Sequence, residues 1–510
     1  MEKMDNPVAL FAGMKVTIMG LGLNGGGLES ARFLALRGAE CTVTDMKDEK
    51  TLAPSIEKLL SLSEPHPPFR FVLGKHEMDD FTKADMVVKN PAVRPDSPYL
   101  AGARRIETDI SLFLAALQPG KKTLTKSDSV SPTGKAYSPF RLIAVTGSKG
   151  KSITASAVHW VLAKAREAAL LPGRAFLGGN ITVSPLRFLD ELGEPDDIVL
   201  ELSSWQLADL KGRTLLKPRA AIITSIMPDH QDRYGSMEEY VNDKRIIYQG
   251  QDKEDSTIAC ADDPWGMSFL SQTPGRPLPY SAKPMAPKTE PGAFIDPESG
   301  AGMIKHNGAL SEAVPPHLLV PGRHNKKNCL AAALALFDLG LPLSFIRESL
   351  AGFPGIEHRL EFFWEINGIR FYNDTAATIP EAAAAAIETF TADCGEKTPL
   401  VLVTGGADKN LDFSPLVRAI LTALKNEISL DIILLAGMGS NTLIVLLKEA
   451  GIPYHGPFDS ISEAAQAAFE TGRRTAPSVV VLSPGCASFG MFANEFDRGR
   501  QWKETVLTFT

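Results

Sequence analysis

The feature that most constrains this chain is a device repeated along it: an apolar run of strand length that ends in a glycine-rich turn and then opens a helix. It occurs as KVTIMGLGLNGG at residues 15–26, as RLIAVTGSKGKS at 141–152 and as PLVLVTGGADKN at 399–410. Parallel strands need crossover connections, normally helices, so each copy predicts a parallel sheet with helices on its faces. Ligands of such sheets bind beyond the carboxyl ends of the strands. A single core seldom grows past about 250 residues, so 510 residues with three restarts predict three α/β domains. The expected fold is a Rossmann-like N-terminal domain over 1–122, a linker or insertion over 123–139, a central parallel-sheet domain with a phosphate loop over 140–354, and a Rossmann-like C-terminal domain over 355–510.

Charge and cysteine usage narrow the function. A net charge of −7 with interspersed signs offers no basic face for nucleic acid and no polybasic membrane anchor. Five scattered cysteines, Cys41, Cys260, Cys329, Cys394 and Cys486, lack CxxC spacing, which argues against a disulfide framework or a structural zinc site and fits a reducing cytoplasm. The start MEKMDNPVALFAGMKVTIMG carries no apolar core of signal-peptide length, and no run approaches membrane-spanning length. A cytoplasmic protein is expected.

The motifs carry the chemistry. Gly20, Gly22 and Gly25 spell GxGxxG, and Asp45 follows about 20 positions later, completing a dinucleotide fingerprint. The same geometry can hold another nucleotide or diphosphate, because the turn supplies only close backbone approach and a helix N-terminus. DMVVKNPAV at 85–93 predicts a strand whose end meets that crevice. In the middle segment, RLIAVT leads into Gly147, Ser148, Lys149, Gly150, Lys151 and Ser152. Val145 stands where the strict phosphate loop has its first glycine, so this is a shortened relative of that motif. Its backbone N–H groups and Lys151 suit polyphosphate, and the Ser152 hydroxyl suits magnesium. Taken alone, the stretch also reads as a tight strand-to-helix turn with surface lysines.

Two further strands end in chemistry: DIVLELSSWQL carries Glu201, and RAAIITSIMPDHQDRY carries Asp229 and His230. A hard carboxylate beside the loop is what Mg²⁺ next to ATP requires. His230 alone would rank as an ordinary loop histidine, and at a third strand end it becomes a metal or acid–base candidate. On composition Lys244, in YVNDKRIIY, reads as one more charge on a solvated helix face. Residues 272–316 are proline-rich and predict short strands and loops at the edge of this sheet; 325–340 predicts a helix.

Taken in order, TGSKGKS, GGNI (178–181), ELSSWQL (201–207), DHQDRYGSMEEYVNDKRIIY (229–248), GRHNKKN (322–328), EHRLE (357–361) and NDTAAT (373–378) resemble the Mur ligases, ATP-dependent amide-bond formers of peptidoglycan synthesis, over nearly the whole chain. Their loop also lacks the first glycine. GLGLNGGGLESARFL, GGADKNLDF and SPGCASFGMFANEFDRG are most similar to the branch that adds D-glutamate.

The resemblance implies that the N-terminal crevice binds the uridine nucleotide of UDP-N-acetylmuramoyl-L-alanine through Gly22, Leu23, Asn24, Asp45, Asn90 and Pro91, with no nicotinamide. It implies ATP on Gly147–Ser152 with Asn180, Asn325, Asn328, Arg359 and Asp374. Two Mg²⁺ ions are implied, the first on Ser152 and Glu201, the second on His230 and a carbamylated Lys244. Lys151, Glu201, His230 and Lys244 are the implied catalytic set, D-glutamate would meet Thr378, Lys409, Ser488 and Phe489, and a monomer is expected. One departure is visible: Ala376 stands where many D-glutamate adders have lysine.

Other readings are weaker. A folylpolyglutamate synthetase shares the loop but should lack the N-terminal GxGxxG domain. An NAD-linked oxidoreductase rests on the fingerprint alone, against a separate phosphate loop with its own carboxylate. A non-catalytic nucleotide switch would release no phosphate in response to acceptor and amino acid together.

Overall fold

The computed structural model describes residues 11–117, 140–392 and 398–510, apart from residues 24, 64, 182, 214–215, 230–232, 286–289 and 409–410. The expected linker at 123–139 therefore lies outside the described residues, as do Cys394, Asn24, His230 and Lys409.

Each predicted restart heads its own sheet. The N-terminal sheet contains β1 (Lys15–Met19), β2 (Glu40–Asp45), β3 (Arg70–Leu73), β4 (Met86–Lys89) and β5 (Ile106–Glu107), in the order β3-β2-β1-β4-β5 with every pair parallel. The order reverses at β1, whose neighbours are β2 on one side and β4 on the other. A crevice for ligand opens at such a switch point.

The central sheet has nine strands: β6 (Arg141–Thr146), β7 (Ala175–Gly179), β8 (Asp197–Glu201), β9 (Ala220–Ile223), β10 (Ser256–Cys260), β11 (Arg276–Ser281), β12 (Gly292–Ile295), β13 (Gly302–His306) and β14 (Ala309–Val314). Their order is β14-β13-β12-β11-β10-β9-β6-β8-β7. The proline-rich stretch thus forms the short strands at one edge, as its composition predicts. β6, β8 and β9 are continuous apolar runs buried on both faces, the pattern of a parallel strand covered by helices on each side. The helix Lys151–Glu167 leaves the phosphate loop directly and packs against β6, β7 and β8.

The third sheet holds β15 (Glu361–Ile366), β16 (Ile369–Asn373), β17 (Leu400–Gly405), β18 (Leu430–Leu435), β19 (His455–Phe458) and β20 (Ser478–Leu482), ordered β15-β16-β20-β17-β18-β19. β15 and β16 form an antiparallel hairpin and the remaining pairs are parallel.

The chain divides into two compact units. One comprises Met1–Pro297, Met303–Ala313 and Leu330–Ile346; the other comprises Glu298–Gly302, Val314–Cys329 and Arg347–Thr510. Within the first, a single apolar core runs from the N-terminal sheet into the central one, with Phe113 set edge-on against Phe188. Among the described residues Cys41, Cys260, Cys329 and Cys486 are buried and form no disulfide, and burial pushes the Cys41, Cys329 and Cys486 thiols up to about 12, so those three are inert packing groups.

Candidate functional site

Four adjacent strands, in the order β9-β6-β8-β7, carry at their ends the central candidates that lie among the described residues. Gly147 follows β6 at φ +146, and a Cβ there would stand 1.8 Å from Thr224 Oγ1, so the loop closes only with glycine at this position. The Thr224 hydroxyl donates to Lys149 O at 2.6 Å. The Ser148 hydroxyl accepts from Met227 N at 3.1 Å, lies 2.9 Å from Met227 O and shares a hydrogen bond with the Tyr240 hydroxyl at 2.9 Å. Ser148 is therefore a brace that ties the loop to the segment after β9.

Lys151 opens the helix, and its Nζ donates to Gly147 O and Ser148 O, both at 3.0 Å. Burial lowers its pKa, an effect opposed by the nearby Glu201 and Asp229 carboxylates. Lys244 lies on the helix Met237–Gln249 and is 1 % exposed, with Nζ donating to the same Gly147 carbonyl at 2.9 Å. The solvated-face reading of Lys244 is thus overturned. The cause is helical spacing: Tyr240 and Lys244, four residues apart, share the face that packs on the phosphate loop, with the Lys244 Nζ 4.5 Å from the Tyr240 ring centre. Burial, reinforced by the Lys151 charge, holds the Lys244 amine well below the usual lysine range.

Glu201 ends β8 and is 1 % exposed. Asn180, after β7, donates through Nδ2 to Glu201 Oε1 at 2.8 Å, and its backbone N–H reaches Glu201 O at 2.8 Å. The second carboxylate oxygen, Oε2, is buried with no hydrogen-bond partner. A buried, unpartnered carboxylate oxygen is costly unless a cation or donor completes it. Close enough to Lys151 to act on its charge, it fits a hard divalent ion with oxygen ligands.

The N-terminal turn is built with the opposite charge. Asp45, at the end of β2, accepts from Gly22 N at 3.0 Å and Lys47 N at 2.9 Å, while Ser55 donates to Gly22 O at 2.8 Å. Asn90 begins the turn after β4, and its side chain stands against Gly20, where a Cβ would come within 3.0 Å of Asn90 Cβ. Gly22, Asn90 and Pro91 are half-buried around this crevice and Leu23 is exposed. Asp45 serves the turn as a brace, a role the fingerprint did not disclose.

In the second unit, Asp374 follows β16 and is nearly covered. Its Oδ2 accepts from the Ser483 hydroxyl at 2.6 Å and its Oδ1 from Leu360 N at 3.2 Å, yet burial outweighs both and raises its pKa to about 7. Arg359 is exposed beside it. Asn325 donates to Pro321 O at 2.7 Å and Asn328 is paired with it; both are buried and belong to this unit. Ser488 is buried, Phe489 exposed and Thr378 half-buried. Arg498, fully buried, joins their loops, donating to Thr375 Oγ1 and O and to the carbonyls of Cys486 and Ala487 at 3.0–3.2 Å.

Sequence reasoning missed three features. Tyr240 and Arg498 carried no motif signal, although the spacing of Tyr240 from Lys244 would have marked it. Asp229 was noted only as a neighbour of His230 and acts on both Lys151 and Lys244.

A glycine loop lined by lysines near a buried, unpartnered carboxylate oxygen suits a polyphosphate with a divalent ion, and the relationships of the sequence agree. Residues 145–336 match the Mur ligase middle domain and residues 14–111 the N-terminal domain described as Mur ligase MurD-like. The chain belongs to the Mur ligase family. Within it, the UDP-N-acetylmuramoylalanine–D-glutamate ligase of Treponema pallidum is 38 % identical, covering 99 % of each chain. The enzymes of the same name from Roseiflexus sp. and Borreliella afzelii are 37 % and 36 % identical, over 98 % and 96 % of this chain and 99 % and 96 % of their own. Among solved structures, the UDP-N-acetylmuramate-alanine ligase of Thermotoga maritima aligns over 97 % of this chain and 99 % of its own, with a TM-score of 0.54 at 20 % identity. MurF of Acinetobacter baumannii aligns over 97 % and 94 %, at 0.52 and 16 %. These two likenesses concern the fold. The N-terminal match separates the chain from a folylpolyglutamate synthetase, which was expected to lack that domain.

Proposed function

We propose that this chain is an ATP-dependent ligase that joins D-glutamate to UDP-N-acetylmuramoyl-L-alanine in peptidoglycan precursor synthesis. The observation that carries the reaction type is the buried, unpartnered Glu201 Oε2 set beside the Lys151 loop. The named relatives, alike over nearly their full length, support the substrates.

In this reading, the uridine nucleotide rests on Gly22, Leu23, Asn24, Asp45, Asn90 and Pro91. ATP lies on Gly147–Ser152 with Asn180, Asn325, Asn328, Arg359 and Asp374. The L-alanyl carboxylate attacks the γ-phosphorus, ADP leaves, and an acyl phosphate forms. The amine of D-glutamate adds to the acyl carbon, loses a proton, and the tetrahedral species expels phosphate to leave the amide. Lys151 holds positive charge against the phosphoryl oxygens as charge builds on them, the effect expected to contribute most. Asn180 orients Glu201 and presents its amide to the transferring group.

Magnesium, when bound, supplies Lewis-acid neutralisation of the phosphates. Ser152 and Glu201 would hold the first ion; His230 and a carbamylated Lys244 would hold the second. The depressed Lys244 pKa supports the carbamate, since only the neutral amine reacts with CO₂. Thr378, Lys409, Ser488 and Phe489 form the D-glutamate pocket in this reading, with Lys409 supplying the cation that Ala376 does not. We also take the protein to be a cytoplasmic monomer with domains at 1–122, 140–354 and 355–510. No described helix is long and apolar enough to cross a membrane.

The test is phosphate release from Mg-ATP with UDP-N-acetylmuramoyl-L-alanine, screened across D-glutamate, L-glutamate, alanine, lysine and diaminopimelate. Release is expected only when acceptor and D-glutamate are both present. Release with another amino acid would move the specificity, and release that ignores the acceptor would end the ligase reading.

A further inference from the structure

The first unit contains an ion pair that none of the roles above uses. Lys89, the last residue of β4, donates through Nζ to Asp209 Oδ2 at 2.7 Å and to Val93 O at 3.2 Å. The side chains are 3 % and 7 % exposed, so the pair is shielded from water. Among the described residues, the other ion pairs that join these sheets, Arg37 with Asp190 and Arg213 with Glu107, each keep one partner at least partly exposed. A pair held this deep is sensitive to geometry, because each charge needs the other in place.

Its position is informative at both ends. Lys89 immediately precedes Asn90, and its bond to Val93 O closes the Asn90–Val93 turn, which is also held by Val93 N on Asn90 O and Ala92 N on Asn90 Oδ1. Asp209 caps the short helix Ser204–Ala208, which leaves Glu201 after two residues. That segment is itself pinned to the phosphate-loop strand, with Leu202 N on Val145 O and Thr146 Oγ1 on Leu202 O. The charges of Arg213 and Arg233 also face Asp209. One buried contact therefore links the turn assigned to the uridine nucleotide with the segment carrying the metal carboxylate.

We propose that Lys89 and Asp209 are positioning residues that fix the register between the anchored nucleotide end of the acceptor and the phosphate loop, where its carboxylate must react. The inference rests on the acceptor assignment made above. A substrate held at one end and reacting at the other depends on the spacing of the two anchors, and about 1 Å of misplacement costs on the order of 10²-fold in rate.

The experiment compares the unmodified chain with Lys89→Met and with Lys89→Met/Asp209→Leu, measuring Tm, Kd for UDP and for a non-hydrolysable ATP analogue, and kcat with the full acceptor. Lys89→Met leaves a buried carboxylate unpaired, so both Tm and kcat should fall. The double variant removes both charges; its Tm should return to within a few degrees and each Kd to within about twofold, while kcat stays at least tenfold down. A double variant with normal Tm and normal kcat would overturn the proposal and leave the pair a packing device. A double variant with normal Tm whose loss lies in the Kd for UDP alone would also overturn it, as the pair would then shape the binding turn and not the register. Failure of the unmodified chain to bind UDP or to turn over the acceptor would strike the assignment of function itself, a result separate from either.

Discussion

The N-terminal turn and the central phosphate loop start from the same device, a buried parallel strand that passes through glycines into a helix, and they are finished with opposite charges. At the first, the Asp45 carboxylate accepts from Gly22 N, so one backbone donor of the turn is already engaged. At the second, lysines hold the loop from its carbonyl side, with Lys151 and Lys244 both on Gly147 O. Two amine nitrogens are thereby gathered on one carbonyl oxygen of the loop. The lesson is that the glycine pattern sets backbone shape only. What the turn can bind depends on which side chains the neighbouring strands and helices send to it. A turn closed by a carboxylate suits a neutral or singly assisted group such as a nucleoside, and a loop surrounded by amines suits polyphosphate.

The largest test of that contrast is Lys151→Ala. Turnover should fall by about 10³-fold or more, while calorimetry shows UDP-substrate binding largely unchanged. Equal loss of both would mean that the two turns do not divide the substrates. Next is Asp374, which closes a third strand end as Asp45 closes the first, but under nearly complete burial. Its raised folded-state pKa means that the folded chain holds a proton the unfolded chain has released. The stabilisation from the neutral form is therefore complete below about pH 4 and disappears as pH rises through about 7, by at most about 4 kcal/mol. Urea unfolding of Asp374→Asn should lack that part of the pH slope, and an unchanged slope would assign the proton elsewhere.

Lys244→Ala should lower kcat by about 10²-fold, with part restored by bicarbonate or a short carboxylate that replaces the missing oxygen ligand. Full activity with no addition would remove the carbamate. The smallest effect belongs to Asp45→Asn. Exchanging a charged acceptor for a neutral one at Gly22 N should cost about 1 kcal/mol, read as a five- to tenfold rise in KM for the UDP substrate with KM for ATP unmoved.

Much of this was legible before any coordinates, because the information is local. A five- or six-residue apolar run ending in glycine specifies a buried parallel strand, and all three sheets were announced in this way. Glu201 was placed at a strand end by the run DIVLE alone, and the short edge strands after residue 272 by their prolines. What escaped is what depends on a distant partner. YVNDKRIIY looks like a solvated helix because it is rich in charge, and only the packing of the Tyr240–Lys244 face onto the loop buries the amine. Asp45 fits the fingerprint, but its bond to Gly22 spans 23 positions. Arg498 is a plain basic residue in NEFDRGR until the fold encloses it among four backbone and hydroxyl oxygens.

The shared carbonyl of Gly147 has a thermodynamic consequence. Two lysines already spend hydrogen bonds on that single oxygen, so an arriving polyphosphate trades partners with it instead of capturing idle donors. Nucleotide association is then an exchange reaction, with a muted enthalpy.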